Sequence, residues 1–277
     1  MKEARQEHQL HSMATVWFRW GFALVWLTDA FLSLHPFYKA RALEIFNPLG
    51  SGADLWMWGI CLVELLMGLW LLLRGLSKNL LLFQGAFLIL QTLLLGYCDP
   101  GLWAHPLGLI SKNQPLLLIT GVLFIWQREG ISLKSWWLFR VGLAVIWFTE
   151  GLFPKILFQQ QWERTMVSSL GLDFIAPWLF LMLLGVLQIL SGLATLLLQG
   201  HPLRLLLWIL LFALVALPVL VLVVDLHLLA HPFGPLIKNI PIGIGTYLIL
   251  RGAVHPDLLP GGFHHRPECD SFQPRGV

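Results

Sequence analysis

Apolar runs close to the length of a membrane-spanning helix follow one another from residue 14 to residue 250, separated by short polar or Gly- and Pro-containing breaks. They fall at roughly 14–36, 54–73, 79–98 and 105–127, and again at 136–158, 174–198, 202–224 and 231–250. At 1.5 Å per residue, about 20 apolar residues cross a hydrocarbon core of roughly 30 Å. The pattern therefore predicts an all-α integral membrane protein with eight transmembrane helices. A basic stretch precedes the first run as in a signal peptide, but no small-x-small site follows and the same segment recurs in mid-chain, which predicts a retained first helix.

The polar positions show that the chain is written twice. FRWGFALVWLTDAFL from Phe18 aligns with FRVGLAVIWFTEGLF from Phe139 at an offset of 121, which sets Asp29 opposite Glu150 and carries through to Leu49-Gly50 against Leu170-Gly171. DPGLWAHPLGLISKNQP from Asp99 aligns with DLHLLAHPFGPLIKNIP from Asp225 at an offset of 126. The eight helices thus form two tandem four-helix bundle repeats, 14–128 and 136–252, between tails 1–13 and 253–277. An even number of helices per repeat makes the repeats parallel. Twelve Lys and Arg then lie on the side of the tails and six on the other, which places both termini in the cytoplasm. The fourth helix of each repeat is short, with about 14 apolar residues after Asn113 and about 12 after Asn239. Re-entrant fourth segments would invert the repeats and change that split to 11 and 7.

Composition narrows the function classes. Of 277 residues, 57% are hydrophobic and 12% charged, which excludes a water-soluble domain and makes the lipid bilayer the first partner. A net charge of +3, spread over loops and tails, does not suit nucleic acid. Cys61, Cys98 and Cys269 have no metal-ligand or redox spacing, and no metal, haem, flavin or nucleotide signature is present.

The candidate chemistry sits where the apolar runs are interrupted. Ionisable groups at membrane depth are costly and point to function. Lys112 and Lys238, with Asn113 and Asn239, are candidate ligand-binding residues; the alternative has Asn capping a helix, Pro115 and Pro241 in its first turn, and Lys reaching the headgroups. His105 and His231 follow Asp99 and Asp225 by six residues, a spacing that lets each carboxylate orient an imidazole. Such a pair suits a proton relay, a donor to a quinone or other carbonyl, or half a metal site, and equally a structural helix cap. Asp29 and Glu150 are candidate proton-handling groups, and their candidate partners are the Lys of the interrupted segment and, in the second repeat, Lys155. Arg19 and Arg140 are too far along the helix to pair with them and are expected to anchor the cytoplasmic interface. Glu64, opposite Gln188, is expected to bond between helices.

WFTEGLFPKILF (147–158) resembles the first-helix signature of the DoxX-like membrane proteins, and HPFGPLIKNIP resembles their last-helix pattern. The first repeat departs from it, with Ala30 for the Gly and Ser33-Leu34 for Pro-Lys. The resemblance implies a four-helix unit of the bacterial inner membrane, here duplicated. It also implies quinone as the cofactor and a membrane or periplasmic oxidoreductase as the partner. A small-solute transporter or a membrane assembly and chaperone factor is the alternative. Each repeat is expected to enclose one small polar cavity toward the outer leaflet.

Overall fold

The structure is a computed structural model and describes residues 2–103, 109–129, 133–171, 175–224 and 237–254. Its regular structure is helical throughout. The first half contains α1 (Lys2–Leu32), α2 (Pro36–Phe46), α3 (Ala53–Arg74), α4 (Lys78–Cys98) and α5 (Leu109–Glu129). The second contains α6 (Leu133–Gly151), α7 (Gln161–Ser169), α8 (Pro177–Leu197), α9 (Gly200–Val224) and α10 (Asn239–Val254). Each half thus has four long helices plus one short helix between the first and second, which the hydropathy pattern did not predict. α2 and α7 escape that pattern because each is one to three turns of mixed polar and apolar residues.

Local chemistry explains the element boundaries. His35 caps α2 by accepting the Phe37 N–H at Nδ1, with Pro36 in the first turn. Ser77 Oγ accepts the Leu80 N–H and opens α4. Gly50 and Gly171, matched between the halves, take φ of 60° and 69° at the turn after the short helix, a conformation that costs a residue with a Cβ. α6 runs into a π-helical turn at Leu152–Leu157, where Pro154 supplies no N–H to the helical ladder.

The packing repeats as the sequence does. α1 packs on α3 and α4 on α5, as α6 packs on α8 and α9 on α10, and the short helix of each half lies on its second and third long helices. Between the halves, α1 packs on α10 and α5 on α6, with α5 against α10 at the centre. Gly21 faces Ile244 and the Trp17 ring lies 5.3 Å from that of Tyr247, so α1 and α10 run antiparallel. Phe139 lies near Gly245 and Glu150 near Lys238, so α6 and α10 are antiparallel too. The first helices of the two repeats therefore point the same way, and the repeats are parallel.

Exposure identifies the solvent. Leu73, Leu197 and Phe212 are 79%, 78% and 72% exposed, whereas Asp29, Glu64 and Arg140 are each 1% exposed. Apolar side chains outside and charges inside make this a membrane protein. Among the described residues, five segments are long and apolar enough to cross a bilayer: Pro36–Arg74, Lys78–Cys98, Lys134–Leu157, Pro177–Leu197 and Gly200–Val224. Eight crossings were expected. The other three long helices are α1, α5 and α10, the last of only 16 residues.

Candidate functional site

Two buried lysine–carboxylate pairs stand at the same place in the two halves. Lys112 Nζ lies 2.8 Å from Asp29 Oδ2, joining the start of α5 to the end of α1. Lys238 Nζ lies 2.5 Å from Glu150 Oε1, joining the turn before α10 to the end of α6. The ammonium groups are buried and do not reach for headgroups: Lys112 is 6% and Lys238 8% exposed. Of the two partners expected for Glu150, Lys238 takes the place; Lys155 turns to Glu163 of α7 instead.

The asparagines do not cap helices. Asn113 lies inside α5, which begins four residues before it, and donates to Thr92 Oγ1 at 2.9 Å. Asn239 is the first residue of α10 and donates to the Leu214 carbonyl at 2.8 Å. Each therefore ties the fourth long helix of its half to the third. Asp99 is the C-cap residue of α4 and accepts the Gly101 N–H at Oδ1. His105, Asp225 and His231 lie outside the described residues.

Arg19 and Arg140 belong to the opposite end of the bundle, where each caps the end of a neighbouring helix. Arg19 donates to the Leu71 and Leu72 carbonyls at the end of α3, the first at 2.8 Å. Arg140 donates to Thr195 O at 2.9 Å and Leu198 O at 2.8 Å at the end of α8, with its guanidinium over the Trp136 and Trp137 rings. A cation there satisfies carbonyls that the helix itself cannot. Glu64 does bond between helices, accepting from Gln91 Nε2 at 3.0 Å.

The halves differ in what surrounds the pair. In the first, polar groups bond largely to one another: Trp26 Nε1 donates to Gln84 Oε1 at 3.2 Å and Gln84 Nε2 to Thr120 Oγ1 at 2.6 Å. Only about 30 Å³ of space remains beside Lys112, among Tyr38, Phe46, Met57 and Gln91. In the second half the matching place is a cavity of about 210 Å³, lined by Trp147, Glu150, Lys155, Glu163, Gln188 and Lys238 among apolar residues of α7, α8 and α9. Val167 stands there for the bulkier Phe46. The register of Asp99 on Asp225 sets Leu210 opposite Gln84, so Trp147 loses the acceptor that Trp26 has. Trp147 Nε1, Gln188 Oε1 and Glu163 Oε2 all belong to residues lining this cavity, are buried, and have no hydrogen-bond partner among the described residues.

Glu163 was not nominated by the sequence. Ala42 occupies its place in the first repeat, so the repeat could not reveal it; the signal available was an acid on a short amphipathic helix eight residues after Lys155. Burial pushes the Glu163 carboxyl above its ordinary value, and the adjacent Lys155 opposes that shift.

No curated protein and no solved structure matches the chain. The DoxX-like family matches it twice, over residues 23–121 and 144–245, one match covering most of each half. With its two repeats and their matching lysine–carboxylate pairs, the chain belongs to the DoxX-like family as a tandem of two family units.

Proposed function

We propose that this protein is the membrane subunit of a quinone-linked oxidoreductase system and binds the quinone headgroup in the second repeat. The observation that carries the reading is the cavity of about 210 Å³ in which an indole N–H, an amide oxygen and a carboxyl oxygen have no partner among the described residues. Buried polar atoms are nearly always hydrogen-bonded, so such a set calls for an occupant that bonds to it. A cavity of about 150 Å³ takes benzene, which makes this one large enough for a substituted ring. The apolar walls suit a lipid-soluble molecule, and the polar groups suit its oxygens.

Trp147 Nε1–H and the Lys238 ammonium are donors for carbonyl oxygens, while Gln188 Oε1 and Glu163 Oε2 accept from hydroxyls. Glu150, paired with Lys238, is the group to which we assign proton transfer at this site, and Asp29 is its counterpart in the first repeat. A bound quinone supplies two-electron, two-proton carrier chemistry. The electrons come from a partner membrane or periplasmic oxidoreductase. The reading includes eight crossings of the bacterial inner membrane with both termini in the cytoplasm.

The test is intrinsic tryptophan fluorescence of the protein in lipid nanodiscs, titrated with a short-chain benzoquinone. Saturable quenching that is lost in Gln188→Leu and weakened in Trp147→Phe supports the reading. Quenching that is linear and unchanged in both variants overturns it.

A further inference from the structure

The first repeat holds a carboxyl that the lysine pair does not account for. Glu64 of α3 is 1% exposed; its Oε1 accepts from Gln91 Nε2 at 3.0 Å, and its Oε2 has no hydrogen-bond partner among the described residues. Gln91 has the complementary vacancy, because its Oε1 is buried and also without a partner among the described residues. Asp29 and Lys112 are bonded to each other at 2.8 Å. Among the described residues, the titratable groups within electrostatic reach of Glu64 are Asp29 of α1, Tyr38 of α2, Cys61 of its own helix and Lys112 of α5; α4 presents the neutral Gln91.

An ionised Glu64 offers only acceptors. Gln91 Oε1 then stays without a donor, and a second carboxylate stays in the bundle beside Asp29, served by the same lysine, which is a costly arrangement in hydrocarbon. A proton on Oε2 resolves both faults, because its O–H is a donor and Gln91 Oε1 is the unfilled acceptor on a side chain already in hydrogen-bond contact. The second repeat supports this independently. Gln188 stands opposite Glu64, and an amide is the neutral isostere of a protonated carboxyl.

We propose that Glu64 is a proton-binding site of the membrane domain, carrying its proton at neutral pH and donating it to Gln91 Oε1. The Asp29–Lys112 pair then stays charged, and of the two buried acids described in the first repeat, Glu64 is the one able to release or accept a proton without breaking that ion pair. This site lies in the opposite repeat from the quinone cavity and stands or falls separately from it.

Infrared spectroscopy of the reconstituted protein at neutral pH reads the proton directly. The expected result is a protonated-carboxyl C=O band that shifts on ¹³C-glutamate labelling of the wild-type chain and is lost in Glu64→Gln. The same band should persist in Glu163→Gln, which excludes the other buried glutamate and keeps the test valid if the first variant does not fold. No such band, a band that shifts only on ¹³C-aspartate labelling, or a band that vanishes with Glu163→Gln overturns the proposal.

Discussion

Lys112 is bound to Asp29 at 2.8 Å, and the side chains are 7% and 2% exposed. Removing one member of a buried pair leaves the other charge without compensation, at a cost of about 3–5 kcal/mol. We expect Lys112→Met to lower the thermal stability of the detergent-solubilised protein by that amount, and Lys112→Met with Asp29→Asn to recover most of it. A double variant no more stable than the single one shows that the pair is not the source of the loss.

Arg140 holds the last carbonyls of α8 and lies under two indole rings. Each hydrogen bond from a charged donor contributes about 1.5–3 kcal/mol, and a lysine cannot reproduce the planar fork. Arg140→Met should therefore destabilise the fold by several kcal/mol, with Arg140→Lys between it and the wild type. Equal stability of the Lys variant and the wild type counts against the fork as the cause.

α6 and α8 approach closely at their glycines. A Cβ on Gly192 would lie 2.7 Å from the Ala144 carbonyl oxygen, and one on Gly185 would lie 2.7 Å from that of Gly151. Small residues allow this contact, which is the usual means of helix association in lipid. Gly185→Ala and Gly192→Ala should each cost about 1–3 kcal/mol, the range for overpacking, measured by unfolding in mixed micelles. Cys61 stands at the place of Gly185 in the first repeat, so Cys61→Ala should be far milder.

Burial raises the Glu163 carboxyl above its ordinary value of 4.5, against the opposing effect of Lys155. The folded protein thus holds this proton to higher pH than the unfolded chain does. The sign follows: stability from this group falls as pH rises from 4.5 through the raised folded value. Glu163→Gln removes the titration. We expect a flatter profile of melting temperature against pH in this variant, and an identical slope assigns the effect to another group.

The lysine–carboxylate pairs were legible in the sequence because the repeat printed them twice and because a charge in hydrocarbon needs a partner. That reasoning gave both acids two candidate partners at most, and the structure chose the lysine of the interrupted segment in each half. It failed for Lys155 and Glu163, where the halves differ and Ala42 and Leu34 leave no echo. The capping role of the arginines was not legible, because position along the helix says that they sit near the opposite end but not that carbonyls of a neighbouring helix wait there. α2 and α7 were missed because hydropathy registers long runs, and the cavity because it depends on side-chain volume at a few positions.

Phe46 and Val167 occupy the same place in the two repeats, and the second lines a cavity about 180 Å³ larger, the difference between about 210 and about 30 Å³. Val167→Phe restores the bulk that fills the first repeat, at a site with empty space to receive it. Quinone-dependent quenching should then be lost while the melting temperature holds or rises, since filling a void adds packing contacts. The reverse change, Phe46→Val, removes a buried ring from a close-packed site and should cost a few kcal/mol, toward the roughly 3–5 kcal/mol of a Phe-to-Ala truncation. If Val167→Phe folds as stably as the wild type and still quenches saturably, the occupant is held elsewhere.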